Sequence, residues 1–321
     1  MKIATVFFCL LIFISSVNVA VSLSIPNPLF EVYTVEDLKS IESNSCNVKL
    51  MNDLEITDEV WKPIGQANHP FDRTFDGNNY TITFKGDVRF EHVTDSQNEG
   101  YGLFGYVHNG RIRNLNVVFQ GNLTSFENNT GTLVGIVNKD IYIPFSEIFN
   151  CSVSSEGYSI SGKNNVGGLA GHVINGSIEN SSSDCSVIAI GNNAGGLVGS
   201  ASHGTILSSS ASGDVKSVEN AGALIGYISN ETTISNSSAD GAVKPKGAFG
   251  NFIGDWAEDY KPTVLDCFYQ ETEVDLEPVP PASDVEVYYN NYTLFYALFI
   301  CLAVIILLFA IAAVFYLKKR N

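Results

Sequence analysis

Apolar residues recur at every second position in short bursts along the middle of the chain, as in "GLAGHV", "GSIENSSS" and "CSVIAI", with Gly or Asn at each break. That alternation predicts short strands joined by tight turns, and no longer window holds a sustained helical stripe. The bursts are also periodic. Aligned on the apolar residue of the Gly-rich element, "GLFG" at Leu103, "TLVG" at Leu133, "GLAG" at Leu169, "GLVG" at Leu197, "ALIG" at Leu224 and "NFIG" at Phe252 follow at steps of 30, 36, 28, 27 and 28 residues. One such unit cannot bury its few apolar side chains alone, whereas stacked coils share a continuous core and pair every strand. Six or seven coils at the strand spacing of about 4.8 Å make a rod of about 30 Å. The pattern predicts a parallel β-helix.

Two apolar runs break the pattern at the ends. Residues 1–22 begin with Lys2, run apolar from Ile3 to Ile14 and reach small residues around Ala20, the tripartite form of a secretory signal. Leu294 to Leu317 holds 24 residues without a charge, longer than the roughly 20 that cross a bilayer core, and lacks the polar stripe of a buried helix. Tyr288, Tyr289, Tyr292, Tyr296 and Tyr316 flank it, and Lys318, Lys319 and Arg320 follow, which predicts a type I single span with the N-terminal side outside. Between them, 271–293 carries Pro278, Pro280, Pro281 and many carboxylates but few aliphatics, the composition of an extended acidic stalk. The predicted organisation is a signal peptide 1–22, a β-helix ectodomain 23–270, the stalk 271–293, a membrane helix 294–317 and a cytoplasmic tail 318–321.

Charge then excludes one class of partner. The 321 residues carry 18 Lys and Arg against 34 Asp and Glu. Every acid lies between Glu31 and Glu286, and four of the bases are terminal, so residues 23–293, ectodomain and stalk together, have 14 basic residues against 34 acidic ones, a charge of −20. Such a surface repels phosphate backbones, which makes nucleic acid an improbable partner. Cys46, Cys151, Cys185 and Cys267 remain outside the terminal segments, without a C-x-x-C pair for zinc. No intramolecular disulfide is expected. Cys151 and Cys267 share an offset but stand four coils apart, about 19 Å, well beyond the Cα separation a bridge allows.

The residues also carry a resemblance. "NVGGLAGHVINGSIENSSSDCSVIA" and "NAGGLVGSASHGTILSSSASGDV" resemble the GLUG repeat of surface proteins and of accessory regions of some bacterial proteases. "VWKPIGQANHPFDRTFDGNNYTITF", Val60 to Phe84, resembles the segment that commonly precedes such repeats, and Tyr33 to Ile56 resembles the short helix and first strand that cap them. The resemblance covers about Val32 to Tyr269. It implies an all-β, right-handed parallel β-helix solenoid with a short N-terminal capping helix, and says little about activity.

Two residues beyond the Ile or Val opening the second strand stand Asn114, Asn150, Asn180, Ser208, Asn236 and Asp266. Strict alternation from that inward side chain places this row inward too, as a hydrogen-bonded polar ladder along the rod. Sequons begin at Asn79, Asn122, Asn128, Asn150, Asn175, Asn180, Asn230, Asn236 and Asn291. An inward rung cannot carry a glycan, so the expected glycosylation sites are Asn79, Asn122, Asn128, Asn175, Asn230 and Asn291.

A search for chemistry finds little. Asp184 and Asp240 share an offset two coils apart, about 10 Å and near the separation of an inverting glycosidase, while Asp266 falls out of register. Hydrophilic turns beside Gly explain them more simply. No Arg occurs between Arg113 and Arg320, and His92, His108, His172 and His203 stand at different offsets, with His69 outside the repeats. H-E-x-x-H and G-x-S-x-G are both absent from the sequence. No catalytic, metal or cofactor site is therefore expected. The expected function is non-enzymatic recognition or adhesion at the cell surface, with an extracellular glycan or protein as ligand and the membrane as integral partner. A glycan-active lyase or hydrolase, a protective coat, and retrieval to the endoplasmic reticulum through Lys318 and Lys319 are the alternatives.

Overall fold

The computed structural model describes residues 28–43, 46–91, 99–140, 142, 146–244 and 251–270. The segments 1–22, 271–293, 294–317 and 318–321 lie outside these residues, as do His92, Asn291, Lys318 and Lys319. No helix among the described residues is long and apolar enough to cross a membrane.

Strands stack into sheets of nine, thirteen, four and six, and every pairing between named strands is parallel. The coil from Val166 shows how one unit divides. Val166–Gly167, Ala170–Ile174, Ser177–Glu179 and Ser182–Ala189 fall in the four-, six-, nine- and thirteen-stranded sheets in turn. Successive coils keep the register read from the sequence, one residue past the Leu row: Phe104, Val134, Ala170, Val198, Ile225 and Ile253 are partners in order. The fold is a parallel β-helix.

Stacked rows of like side chains form the core. Leu103, Leu133, Leu169, Leu197 and Leu224 make one, Ile112, Ile148, Ile178, Ile206 and Ile234 another, and all ten are fully buried. Bulk concentrates in the early coils, where Phe84 stacks on Phe119 at 4.6 Å, Phe71 and Phe75 both meet Phe104, and Trp61 donates to the Leu103 carbonyl. Later coils narrow. The inward row of Leu54, Ile82, Val117 and Val153 continues as Ser183, Ala211 and Ala239.

Gly closes each Gly-rich element because two coils meet there backbone to backbone. A Cβ on Gly199 would stand 2.3 Å from the Asn165 carbonyl carbon and 2.5 Å from the Val166 nitrogen, and one on Gly171 2.4 Å from the carbonyl carbon of Asn129. A residue with any side chain cannot enter those positions without moving a neighbouring coil.

At the N-terminal end a five-residue helix, Val35–Lys39, starts at Thr34, whose hydroxyl accepts from the Asp37 N–H while the Asp37 carboxylate accepts from that of Thr34. This capping box satisfies donors that a helix start otherwise leaves free. A strand, Leu29–Val32, precedes the helix and pairs with Asn47–Leu50. The first strand thus comes before the helix rather than only after it, because "LFEV" already alternates and buries Val32. All four described cysteines are free. Cys151, Ser181, Ser209, Ser237 and Cys267 occupy equivalent corners of successive coils, which keeps Cys151 and Cys267 four coils apart.

Candidate functional site

Among the described residues the rod presents rows of outward side chains. On the six-stranded sheet one row runs Tyr106, Ile136, His172, Ser200, Tyr227 and Asp255. Large rings shield the small members, so Ser200 and Ile136 are buried although they point away from the core. The His172 Nε2 atom is buried without a hydrogen-bond partner among the described residues. Burial holds this imidazole neutral, its pKa lowered to about 4. Tyr106 accepts at its hydroxyl from Asn138 Nδ2 at 2.8 Å, and His108 Nε2 lies 3.4 Å from an Asp140 carboxylate oxygen. Histidines occupy three different positions: His108 pairs in register with Asn138, His172 with Ser200, and His203 sits in a turn at φ 52°. Among the described residues no group of three His, Cys, Asp or Glu could hold a metal ion.

On the thirteen-stranded sheet, Ser152, Ser182, Ser210, Ser238 and Phe268 form one outward row and Ser154, Asp184, Ser212, Asp240 and Gln270 the next. Asp184 and Asp240 do align, as their offsets require, with Ser212 between them donating to Asp184 Oδ1 at 2.8 Å. Both carboxylates are exposed on a flat face. Asp266 lies in a turn, out of that row. A shallow groove crosses the last coils between Ser210, Ser212, Ser238, Asp240, Phe268 and Gln270. The Ser–His neighbours Ser202 and His203 approach to 3.4 Å, but Ser202 Oγ also accepts from Asn230 Nδ2 at 2.9 Å. No carboxylate orients that imidazole among the described residues, so the third member that nucleophilic activation uses is missing from this pair.

The inward polar ladder is corrected by the structure. Asn114, Asn150, Asn180, Ser208, Asn236 and Asp266 do recur coil after coil, yet Asn114 is half-buried and the other five are exposed. All six adopt left-handed backbone, with φ between 48° and 53°. One such residue turns the chain by itself and breaks strict alternation, so the next residue points inward instead. Asn is favoured there for its backbone tolerance. Side-chain bonds link only the first rungs, Asn150 Nδ2 to Asn114 Oδ1 at 2.8 Å and Asn114 Nδ2 to Asp76 Oδ1 at 3.1 Å. Burial alone would raise the Asp76 carboxyl, but the hydrogen bonds from the Asn114 side chain and the Asn78 N–H, with the Arg113 guanidinium, together outweigh it and hold the group below its usual range.

The inward polar row is one residue later. Ser181, Ser209 and Ser237 are buried, and their hydroxyls accept from the backbone N–H of Cys151, Ser181 and Ser209 at 3.1 to 3.2 Å. Each donates in turn to a carbonyl two residues back. A second true ladder was missed by the sequence reading: Asn220 donates to Asn193, Asn193 to Asn165 and Asn165 to Asn129, at 2.7 to 2.8 Å. Its signal was present, an Asn four residues before each of Leu133, Leu169, Leu197 and Leu224.

This correction re-sorts the sequons. Asn79 and Asn122 are exposed as expected, and Asn128 is half-buried with its Oδ1 accepting from Asn164. Asn175 and Asn230 are half-buried, and their Nδ2 atoms, to which a glycan would attach, donate to the Lys139 carbonyl and to Ser202. Asn180 and Asn236, set aside as inward, are exposed. On protein secreted by a eukaryotic host, glycopeptide mapping is expected to find Asn180 and Asn236 occupied and Asn175 and Asn230 largely bare. The reverse ranking would show that the turn geometry does not decide occupancy.

Stacked coils closed by Gly, with a Leu core row, define the chain as a repeat protein of the parallel β-helix class. Residues 162–188 match the family model described as the GLUG motif. A similar fold occurs in the crystal structure of a "putative immunoglobulin A1 protease" from Bacteroides ovatus, with a TM-score of 0.59 and 18% sequence identity over 79% of this chain and 80% of that one. At that identity the likeness concerns the fold alone. No curated protein matches the chain significantly.

Proposed function

We propose that the chain is a single-pass type I membrane glycoprotein that displays its β-helix outside a membrane for non-enzymatic recognition or adhesion. The observation that carries this reading is the outward surface: flat rows of Ser, Thr and Asn repeated at each coil, such as Ser152, Ser182, Ser210 and Ser238. A row of hydroxyls at about 4.8 Å can engage an extended ligand at several coils together. The amino-terminal run of 1–22 and the charge-free run of 294–317 support membrane anchoring. The cell surface is the proposed location, with retrieval to the endoplasmic reticulum through Lys318 and Lys319 as the alternative.

Binding of the full-length protein in detergent to arrays of glycans and extracellular-matrix proteins tests the recognition. Saturable binding to one class, without turnover, is the expected result, whereas cleavage of a bound glycan would overturn the non-enzymatic reading. Surface biotinylation tests the location. If wild type stays internal and the Lys318→Ser, Lys319→Ser protein reaches the surface, the adhesion reading falls.

A further inference from the structure

Three of the exposed apolar side chains fall on one line of this rod. Thr124, Ser161, Ile188, Lys216 and Lys244 are register partners through successive coils. Two residues beyond the first four, at the corner of the thirteen-stranded sheet, stand Phe126, Lys163, Ile190 and Val218. Phe126 is 71% exposed, Ile190 58% and Val218 63%. An apolar ridge with lysines beside and within it therefore runs along an otherwise acidic molecule. Lys163, Lys216 and Lys244 make no ion pair among the described residues. Neighbouring carboxylates are engaged elsewhere, since Asp214 accepts from the Ala242 N–H and Glu219 from Asn192. Exposed apolar side chains that recur at one corner through successive coils, with lysines among them, mark a candidate interaction site.

The geometry points to an occupant within the same chain: residues 271–287, docked along this ridge. Three observations select it. Its charge is complementary, with six acids (Glu271, Glu273, Asp275, Glu277, Asp284 and Glu286) and no Lys, Arg or His. Its pattern fits the lysine end of the ridge, because Glu271, Glu273, Asp275 and Glu277 alternate with Thr272, Val274 and Leu276, so an extended chain presents acids to one side over the stretch that reaches Lys244 and Lys216. Its origin is adjacent. Gln270 pairs with Asp240, four residues before Lys244, a distance that about four or five extended residues cover. The four coils from Lys244 back to the level of Phe126 add about 19 Å, or about six residues. The segment is long enough to reach the far end of the ridge and still leave residues before Leu294. The acidic stretch is then a strap along the rod rather than a free stalk, and its tether supplies a high local concentration.

Zero-length carbodiimide cross-linking of the full-length protein in detergent, with mass mapping, tests this. Lys163, Lys216 or Lys244 is expected to join to carboxylates of 271–286 within one chain, the yield falling at least tenfold in 1 M salt, with Lys216→Glu and Lys244→Glu together, or with Ile190→Ser and Val218→Ser together. All these positions lie on the surface, and circular dichroism checks that the variants fold. Links only between isotopically distinct copies would mean that a second molecule covers the ridge and would overturn the proposal. So would the absence of links to 271–286, or sedimentation with anionic vesicles that the lysine changes abolish while cross-linking is missing.

Discussion

Gly199→Ala is expected to lose the folded rod at physiological temperature, with a destabilisation of about 3 kcal/mol or more. The new methyl would meet the Asn165 carbonyl carbon at 2.3 Å, the Val166 nitrogen at 2.5 Å and the Gly171 oxygen at 2.7 Å, all main-chain atoms of the preceding coil. No rotamer change relieves contacts with backbone. The coils would have to separate, breaking the bonds that Leu169 and Ala170 N–H donate to Leu197 and opening the Leu169–Leu197 core row. Gly204→Ala is the control. A Cβ there finds Val173 Cγ1 at 3.4 Å and Ala201 Cβ at 3.6 Å, ordinary contacts, and the change should be neutral or slightly stabilising by reducing unfolded-chain entropy. Thermal midpoints by circular dichroism decide the matter, and a Gly199→Ala protein that melts with wild type would show that coil spacing at this corner is looser than the contacts require.

These glycines explain why the fold was legible. A residue that only Gly can occupy recurs once per coil, next to a Leu that must be buried, so the spacing of "GLAG" and its variants marks coil register directly, including the longer step that ends at Leu169. The faces were legible wherever alternation continues, as along Ser182 and Asp184. Reading failed at the turns. A residue near φ +50° switches the side of every residue after it, and nothing in a period-two count registers that switch, so the alternation puts Asn180 inward although Asn180 is exposed and Ser181 is the buried residue. The clue was chemical: Cys151, Ser181, Ser209 and Ser237 are small residues that fit a tight inner corner. The half-burial of Asn175 and Asn230 had no local signal, since it arises from Lys139 and Ser202 in preceding coils. The ridge of Phe126, Lys163, Ile190 and Val218 was likewise invisible along the chain, because steps of 37, 27 and 28 residues bring together positions that only the stacked register relates.

Acid is expected to destabilise the rod through His172. In the folded state burial lowers this imidazole to about 4, against an ordinary value near 6.5. The residue as a whole is half-buried, but its Nε2 atom is buried and faces no acceptor among the described residues, so a proton placed there would be poorly solvated. A folded-state pKa below the unfolded one means that the unfolded chain binds the proton first. The contribution is therefore fully favourable above about pH 6.5, declines as pH falls toward 4, and is lost below that. The gap corresponds to about 3 kcal/mol across the window. His172→Gln keeps a polar side chain of similar reach but cannot titrate, so its stability should fall less between pH 7.5 and 4.5, by about 2–3 kcal/mol relative to wild type. Carboxylates titrate equally in both proteins and cancel in that comparison. Denaturation midpoints of the pair at the two pH values give the measurement. Equal losses in the two proteins would mean that His172 meets solvent in the folded rod and that the row from Tyr106 to Asp255 is more open than its packing indicates.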